Sequence, residues 1–293
     1  MTTLLVSFHG GEEAINNVIA FPPGEPSRPL LSAATIDAVV HPLRELRKFL
    51  FSADRSELYV ANGWKKLNQV VRFSAPEQAG EPWRYEKVFT NEPQGIAHPF
   101  DLVFGFAGEL FVSNQDSEAV TSYNASGELD QTLKDFDEVR GLAFDGKLLY
   151  VADAGKGHVA AYDEDLEKVL KIPIPQPVHL LYEPAHHWLL IGSESQNAVY
   201  AWNATQPSAK PVELIAKTNP KIDHTAGMAL ELLAGDRGIL YVASRVGQQI
   251  LAFPLDLSKS MPVWSPAATK VVLDQAELGD EPEFVGIEGG LYG

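Results

Sequence analysis

Six times along this chain, a short strand runs into a polar turn and a second strand that ends on an aromatic residue. Leu149–Tyr162 (LYVADAGKGHVAAY) shows the unit: Leu149 to Asp153 as the first strand, a Gly-containing turn at Ala154–Gly157, and His158 to Tyr162 as the second. Large and small residues alternate from Leu149 to Asp153 on a β-branched and aromatic background, as in a half-buried strand. The other copies are Leu4–Phe21, Leu58–Phe73, Leu110–Tyr123, Leu189–Trp202 and Leu240–Phe253. Their closing aromatics, Phe21, Phe73, Tyr123, Tyr162, Trp202 and Phe253, fall 52, 50, 39, 40 and 51 residues apart. That period suits a four-stranded blade, so the pattern predicts an all-β chain, a six-bladed propeller in which residues 1–293 form one domain.

The first copy has no inner strand before it. Phe284-Val285-Gly286-Ile287 near the C-terminus is the available partner, and pairing it with Leu4–Phe8 would close the ring and remove an exposed sheet edge. The other inner strands are expected at Arg47–Phe51, with Ser52–Ser56 as its turn, and at starts marked by His98-Pro99-Phe100-Asp101, Val139-Arg140-Gly141, Pro177-Val178-His179 and His224-Thr225-Ala226-Gly227. Between Pro22 and Pro42 lies a Pro-rich connection with a strand-like patch at Leu30-Leu31 and the segment Ala34–Val40. Helix is expected to be scarce, one turn at Leu43–Lys48 at most. An acidic loop should follow Lys270–Leu273.

Charge and cysteine content narrow the chemistry. Acidic residues number 39 against 23 basic ones, a formal charge of −16. Phosphate binding needs clustered Lys and Arg, so neither nucleic acid nor an anionic membrane is an expected partner. There is no cysteine, hence no disulfide, thiolate metal site or cysteine nucleophile. No basic segment followed by a long apolar run opens the chain, and the expected location is cytoplasmic. Asn124-Ala125-Ser126 and Asn203-Ala204-Thr205 match a glycosylation pattern but read as turns. No serine-nucleophile motif, HExxH or dinucleotide fingerprint occurs.

Arg140-Gly141-Leu142-Ala143-Phe144-Asp145-Gly146, followed by Leu149-Tyr150-Val151-Ala152-Asp153, resembles the NHL repeat. His98-Pro99-Phe100-Asp101, followed by Leu110-Phe111-Val112-Ser113-Asn114, is similar to the YVTN type. The resemblance spans nearly the whole chain and implies the propeller fold, which serves scaffolds, lyases, lactonases and cyclases alike. A more distant likeness is to the SMP-30/gluconolactonase family, which implies a divalent metal in the channel held by a Glu, an Asn before an inner-strand Gly, and a later Asp. Glu283 can stand for the first. Arg140 occupies the Asn position and would repel a cation, and Asp101 matches the third poorly. No metal and no cofactor are therefore expected.

In such a ring, the loops leading into inner strands and the turns of the hairpins open on one face. The first set holds Arg47, His98, Asp101, Arg140, His179, His224 and Glu283. The second holds His9, Asn62, Trp64, Asn114, Asp116, Asp153, Glu194 and Arg245. Histidine titrates near neutrality and suits proton transfer, and an arginine can hold a carboxylate or a developing oxyanion. His98, His179, His224 and Arg140 are the candidate catalytic residues. Trp64, Phe100, Arg245, Glu283, His9 and Asp101 are the candidate substrate-binding ones. Arg140 and Glu283 are expected to form a charged pair, leaving the histidines free for a ligand. The plain alternative is that these groups bond one another and plug a polar channel. His186-His187 reads as an exposed turn on the opposite face, Asp153 as the cap of its own turn, and Gly10-Gly11 as a turn with no phosphate to cradle. The sequence thus favours a small organic molecule handled in the channel by metal-independent acid–base chemistry of the lyase, isomerase or cyclase type. A protein-interaction scaffold and a metal-dependent lactonase are the alternatives.

Overall fold

The structure is a computed structural model that describes residues 2–10, 15–32, 43–78, 80–216, 218 and 221–289. The segment 34–40 and Gly11 lie outside the described residues.

Strands form where the repeat places them. The first blade uses β1 (Leu4–Phe8), β2 (Ile19–Phe21) and β3 (Arg28–Pro29). The second uses β4 (Leu46–Phe51), β5 (Glu57–Asn62), β6 (Gln69–Ser74) and β7 (Arg84–Asn91). The third holds β8 (Pro99–Phe104), β9 (Leu110–Asn114), β10 (Ala119–Tyr123) and β11 (Leu129–Leu133). The fourth holds β12 (Val139–Phe144), β13 (Leu149–Asp153), β14 (His158–Tyr162) and β15 (Lys168–Pro173). The fifth runs β16 (Pro177–Glu183), β17 (Trp188–Ser193), β18 (Ala198–Asn203) and β19 (Val212–Ile215). The sixth runs β20 (Thr225–Leu233), β21 (Arg237–Ser244) and β22 (Gln249–Asp256), whose outer edge carries both β23 (Val263–Trp264) and β24 (Lys270–Leu273). Last, β25 (Pro282–Ile287) pairs antiparallel with β1, Leu4 opposite Ile287 and Val6 opposite Val285. The two chain ends thus build one blade and close a ring of six, as the missing inner strand requires.

The core is not at the centre of the ring. Six apolar clusters lie one between each pair of consecutive blades. In β13, Leu149 and Val151 face the third blade, and Tyr150 and Ala152 face the fifth. Side chains alternate across a strand, so a sheet packed on both faces must be apolar at every position. The half-buried strand expected at Leu149–Asp153 is therefore buried along its whole length, because a blade lies against each face. The closing aromatics Phe73, Tyr123, Tyr162, Trp202 and Phe253 are buried in these layers, and Phe21 packs at the edge of one.

Two local readings need correction. Leu43–Lys48 makes no helical turn; Leu46 onward is strand, because Leu46 and Phe49 bury against the first blade while pairing with β5. Among the described residues the one short α-helix, α1 (Gln275–Leu278), stands in the acidic loop instead. Its start is fixed by Asp274, whose side chain accepts from the backbone N–H groups of Ala276 and Glu277, while the Glu277 side chain accepts from Asp274 N–H. No helix among the described residues is long and apolar enough to cross a membrane.

Two repeated irregularities position the channel. Every inner strand shifts register once against its neighbour: around Arg47-Lys48, Phe100-Asp101, Arg140-Gly141, Val178, Ala226-Gly227 and Glu283. Such a bulge bends the strand and re-aims side chains. The residue before an inner strand is also left-handed in four blades: Glu45 (φ 50°), His98 (φ 56°), Gln176 (φ 39°) and His224 (φ 65°). Each costs roughly 1 kcal/mol or more for a residue with a Cβ. Inner strands also approach closely. A Cβ at Gly141 would stand 2.6 Å from the Val178 carbonyl oxygen, and one at Gly227 would stand 2.5 Å from Phe284 Cα.

Candidate functional site at one mouth of the channel

The axis is filled by three rings from alternate blades. His179 lies 4.3 Å from Phe284 and 5.8 Å from Phe100, centroid to centroid, and Phe100 lies 5.4 Å from Phe284. All three are buried. They divide the channel into two separate mouths.

On the side where the inner strands begin, a continuous polar network crosses five blades. Glu283, its side chain 5% exposed, receives Arg47 Nη1 at 3.1 Å and stands 2.8 Å from His9 Nδ1. Arg245 Nη1 approaches the same carboxylate at 3.9 Å and His9 Nδ1 at 3.2 Å. Arg245 Nη2 then reaches His224 Nε2 at 2.5 Å, and His224 Nε2 also contacts Glu194. In the other direction, Arg47 Nη2 lies 3.4 Å from His98 Nε2, whose Nδ1 is 3.1 Å from Asp116. The order is Asp116, His98, Arg47, Glu283 with His9, Arg245, His224, Glu194.

Proton positions follow from these partners. His98 can donate from Nδ1 to Asp116 and accept at Nε2 from Arg47. His9 Nδ1 and His224 Nε2 each lie between a carboxylate and a guanidinium: protonated, the nitrogen donates to the acid; unprotonated, it accepts from the arginine. Burial lowers the His98 pKa, and the Arg47 charge adds to this against the opposing pull of Asp116. Burial alone would raise the Glu283 carboxyl, but Arg47, the His9 hydrogen bond and Arg245 together hold it down at about 2. It is an anion at neutral pH.

The structure departs from the expected constellation at several points. Arg140 does not pair with Glu283. Its partner is Glu138, two residues away, and its guanidinium lies 5.7 Å over Phe100. The fourth blade stands across the ring from the first, with the aromatic plug between them, while Arg47 comes from the adjacent blade. His179 is not free to meet a ligand from this mouth: it is 2% exposed, and burial, aided by the Lys48 charge, drives its pKa down to about 3. Its Nε2 has no hydrogen-bond partner among the described residues. Asp101 is 1% exposed, and its two oxygens accept from Leu102 N–H (2.8 Å) and Leu142 N–H (2.9 Å), which ties the third blade to the fourth. Phe100 is part of the plug, and Trp64 sits beside Arg44 and Lys66. His98, His224, His9, Arg245 and Glu283 do converge. Buried Arg47, with Asp116 and Glu194 nearer the surface, completes the network; none of the three was among the expected catalytic or substrate-binding residues.

Other polar candidates are structural. Asn62, Asn114 and Asp153 end equivalent strands and accept from the backbone N–H of Arg44, Ala97 and Asp137. Asp153 also accepts from Lys156 N–H, as the cap of its own turn. Asn124 and Asn203 likewise accept from backbone N–H groups two residues on. His186 stacks on Trp188 (4.3 Å, 12°) in the turn between β16 and β17, with Nδ1 2.8 Å from Glu183.

These donors do not make a cation site. Glu283 is already engaged by two guanidinium groups, and Asp101 by backbone N–H groups. Among the described residues no group of three or more His, Asp or Glu is arranged around a common centre for a metal.

No protein-family profile matches the chain, and no curated protein matches its sequence. Solved structures do match in shape. The periplasmic gluconolactonase of Pseudomonas aeruginosa superposes with a TM-score of 0.67 at 17% identity, over 92% of this chain and 83% of that one. The virginiamycin B lyase of Staphylococcus aureus gives 0.59 at 11% identity, over 96% and 87%. A chain of a nidogen/laminin complex gives 0.63 at 12% identity, over 98% of each. At such identities the likeness is one of fold. The protein is a six-bladed β-propeller, an architecture shared by a lactonase, a lyase and a component of a protein complex.

Proposed function

We propose that this propeller binds a small organic molecule at the network-bearing mouth and moves a proton on it without a metal, in lyase, isomerase or cyclase fashion. His98 and His224 are the proton-moving groups, and Arg245 and Arg140 hold the oxygen on which negative charge develops. The observation that carries this reading is the placement of His224. Its ring is 31% exposed at the mouth, and its Nε2 is shared between the Glu194 carboxylate and the Arg245 guanidinium. A histidine so placed exchanges partners as its proton comes and goes, which is what a general acid–base requires. The plug supplies an apolar floor, with Arg47 and Arg140 each lying over Phe100. The solved gluconolactonase and virginiamycin B lyase are examples of propellers with enzymatic activity. The lactonase reading that depends on a metal is disfavoured by the guanidinium groups on Glu283.

The test is a panel of small hydroxy acids, their lactones and cyclic esters, followed by NMR for substrate loss and by ligand-induced shifts in Tm. For any compound turned over, His224→Gln should lower kcat by about 10²-fold or more with little change in Tm. Activity that survives in a His98→Gln/His224→Gln double variant, or that a chelator abolishes, would overturn the proposal.

A further inference from the structure

The opposite mouth holds a different kind of site. Beneath the plug lies a cavity of about 290 Å³, walled by Leu102, Leu142, Leu180, Leu181 and Tyr182, with Lys48 as the only amine on its lining. Lys48 follows Arg47 in the bulge of β4, so consecutive residues serve opposite mouths. Arg47 has its carboxylate; among the described residues Lys48 has none within ion-pair distance. Among the described residues its Nζ makes no hydrogen bond, and its ring neighbour is Phe284, 5.6 Å to the centroid.

The charged groups around this amine are few. Asp101 is the acid whose charge acts on it, and both Asp101 oxygens are already occupied by backbone N–H groups. His179, in the plug above, is held neutral by its burial. Asp145, at the cavity's edge, is engaged by Tyr150 and by the backbone of Lys147 and Leu148. An ammonium facing apolar walls without a counter-ion is disfavoured, and the neutral amine is a nucleophile. Burial accordingly lowers the Lys48 pKa against the opposing pull of Asp101.

We propose that Lys48 is a carbonyl-capturing amine: an aldehyde or ketone with a small apolar body enters this cavity and condenses with Nζ to an imine. The nitrogen lone pair attacks the carbonyl carbon, and the oxygen takes up a proton to give a carbinolamine. Water then leaves, carrying both amine hydrogens, and a C=N bond remains. Nothing is oxidised or reduced. The cavity volume, near the lower end of small-molecule sites at roughly 300 Å³, suits a ligand of benzaldehyde size. This site is independent of the network at the other mouth.

The full chain is treated with benzaldehyde at neutral pH in the presence of cyanoborohydride, which reduces an imine to a stable secondary amine, and the adducts are mapped by peptide mass spectrometry. Lys48 should be labelled at least tenfold more than exposed lysines such as Lys65, whose side chain is 69% exposed. Benzyl alcohol should compete at Lys48 alone, and Lys48→Arg should remove that adduct while leaving any others. Labelling that follows exposure, with Lys65 ahead of Lys48, or no adduct at Lys48, would overturn the proposal. The map is read on the unaltered chain, so the result does not depend on a variant folding.

Discussion

The two mouths of the channel are built from the same six inner strands and solve opposite electrostatic problems. At one, Arg47 is almost wholly buried, yet Glu283 lies 3.1 Å away and His9 completes the group, so both charges persist. At the other, Lys48, the next residue in the chain, faces leucines and a phenylalanine ring and is pushed toward its neutral form. The difference teaches that a bulge does more than bend a strand. It assigns neighbouring cations to separate compartments, one stocked with carboxylates and one nearly bare. The aromatic plug of Phe100, His179 and Phe284 keeps the compartments apart.

The sharpest way to break the contrast is to remove the carboxylate that distinguishes the first mouth. Glu283→Gln leaves Arg47 buried with no full counter-charge and loosens Arg245 and His9. Breaking a buried pair from one side typically costs about 3–5 kcal/mol, and that loss is expected in urea denaturation at pH 7. The double change Glu283→Gln/Arg47→Met should recover a large part of it. A loss under about 1 kcal/mol for the single variant would mean that solvent already compensates Arg47, making the two mouths alike.

How much of this was legible in the sequence follows from the same contrast. The six blades could be read because strands packed between two blades are largely apolar and recur with a closing aromatic, as Leu149-Tyr150-Val151-Ala152 and Tyr162 show. The closure could be read because Leu4–Phe8 lacked an inner partner and Phe284–Ile287 had none either. The rim could be read in part: His98 and His224 stand where a chain turning into an inner strand must expose them. What could not be read were across-ring relations. Arg140 and Glu283 have opposite charges, but the first and fourth blades face each other across a filled axis, and sequence spacing does not reveal which arginine is adjacent to Glu283. Nor does alternation reveal Lys48, because the bulge at Arg47-Lys48 breaks the alternation on which such a reading depends. His179 is hidden for a related reason: its place at an inner-strand start resembles that of His98, but the bulge at Val178 turns it into the plug.

The plug offers a second, smaller test through pH. The His179 pKa is near 3 in the fold against 6.5 when unperturbed. Between those values the unfolded chain binds a proton that the folded chain refuses. The stability associated with neutral His179 is therefore intact above pH 6.5 and falls as pH drops toward 3, by about 2 kcal/mol between pH 7 and pH 5. His179→Leu should remove that slope while changing stability at pH 7 by about 1 kcal/mol or less, since the lost ring contacts are set against an unpartnered buried nitrogen. Denaturation curves of the two proteins at pH 7 and pH 5 decide it. If the slopes coincide, water reaches His179 and the mouths are joined.

The smallest expected effect lies at the rim of the first mouth. Asp116 is half exposed and bonds His98 Nδ1 at 3.1 Å, so Asp116→Asn should change stability by roughly 0.5 kcal/mol at most. Its effect on His98 should be clear nonetheless. Burial and Arg47 push the His98 pKa down, and Asp116 is the hydrogen-bonded group that pulls it up. With an amide in its place, that support is reduced while both depressing influences remain, so the His98 ring should titrate at a lower pH in an NMR titration of the histidine signals. A fall at His98 would show that the Asp116 hydrogen bond is what keeps this histidine able to take up a proton at the mouth. A His98 titration that does not move would show that solvent already screens Asp116, and the proton-moving role of His98 would lose its supporting carboxylate.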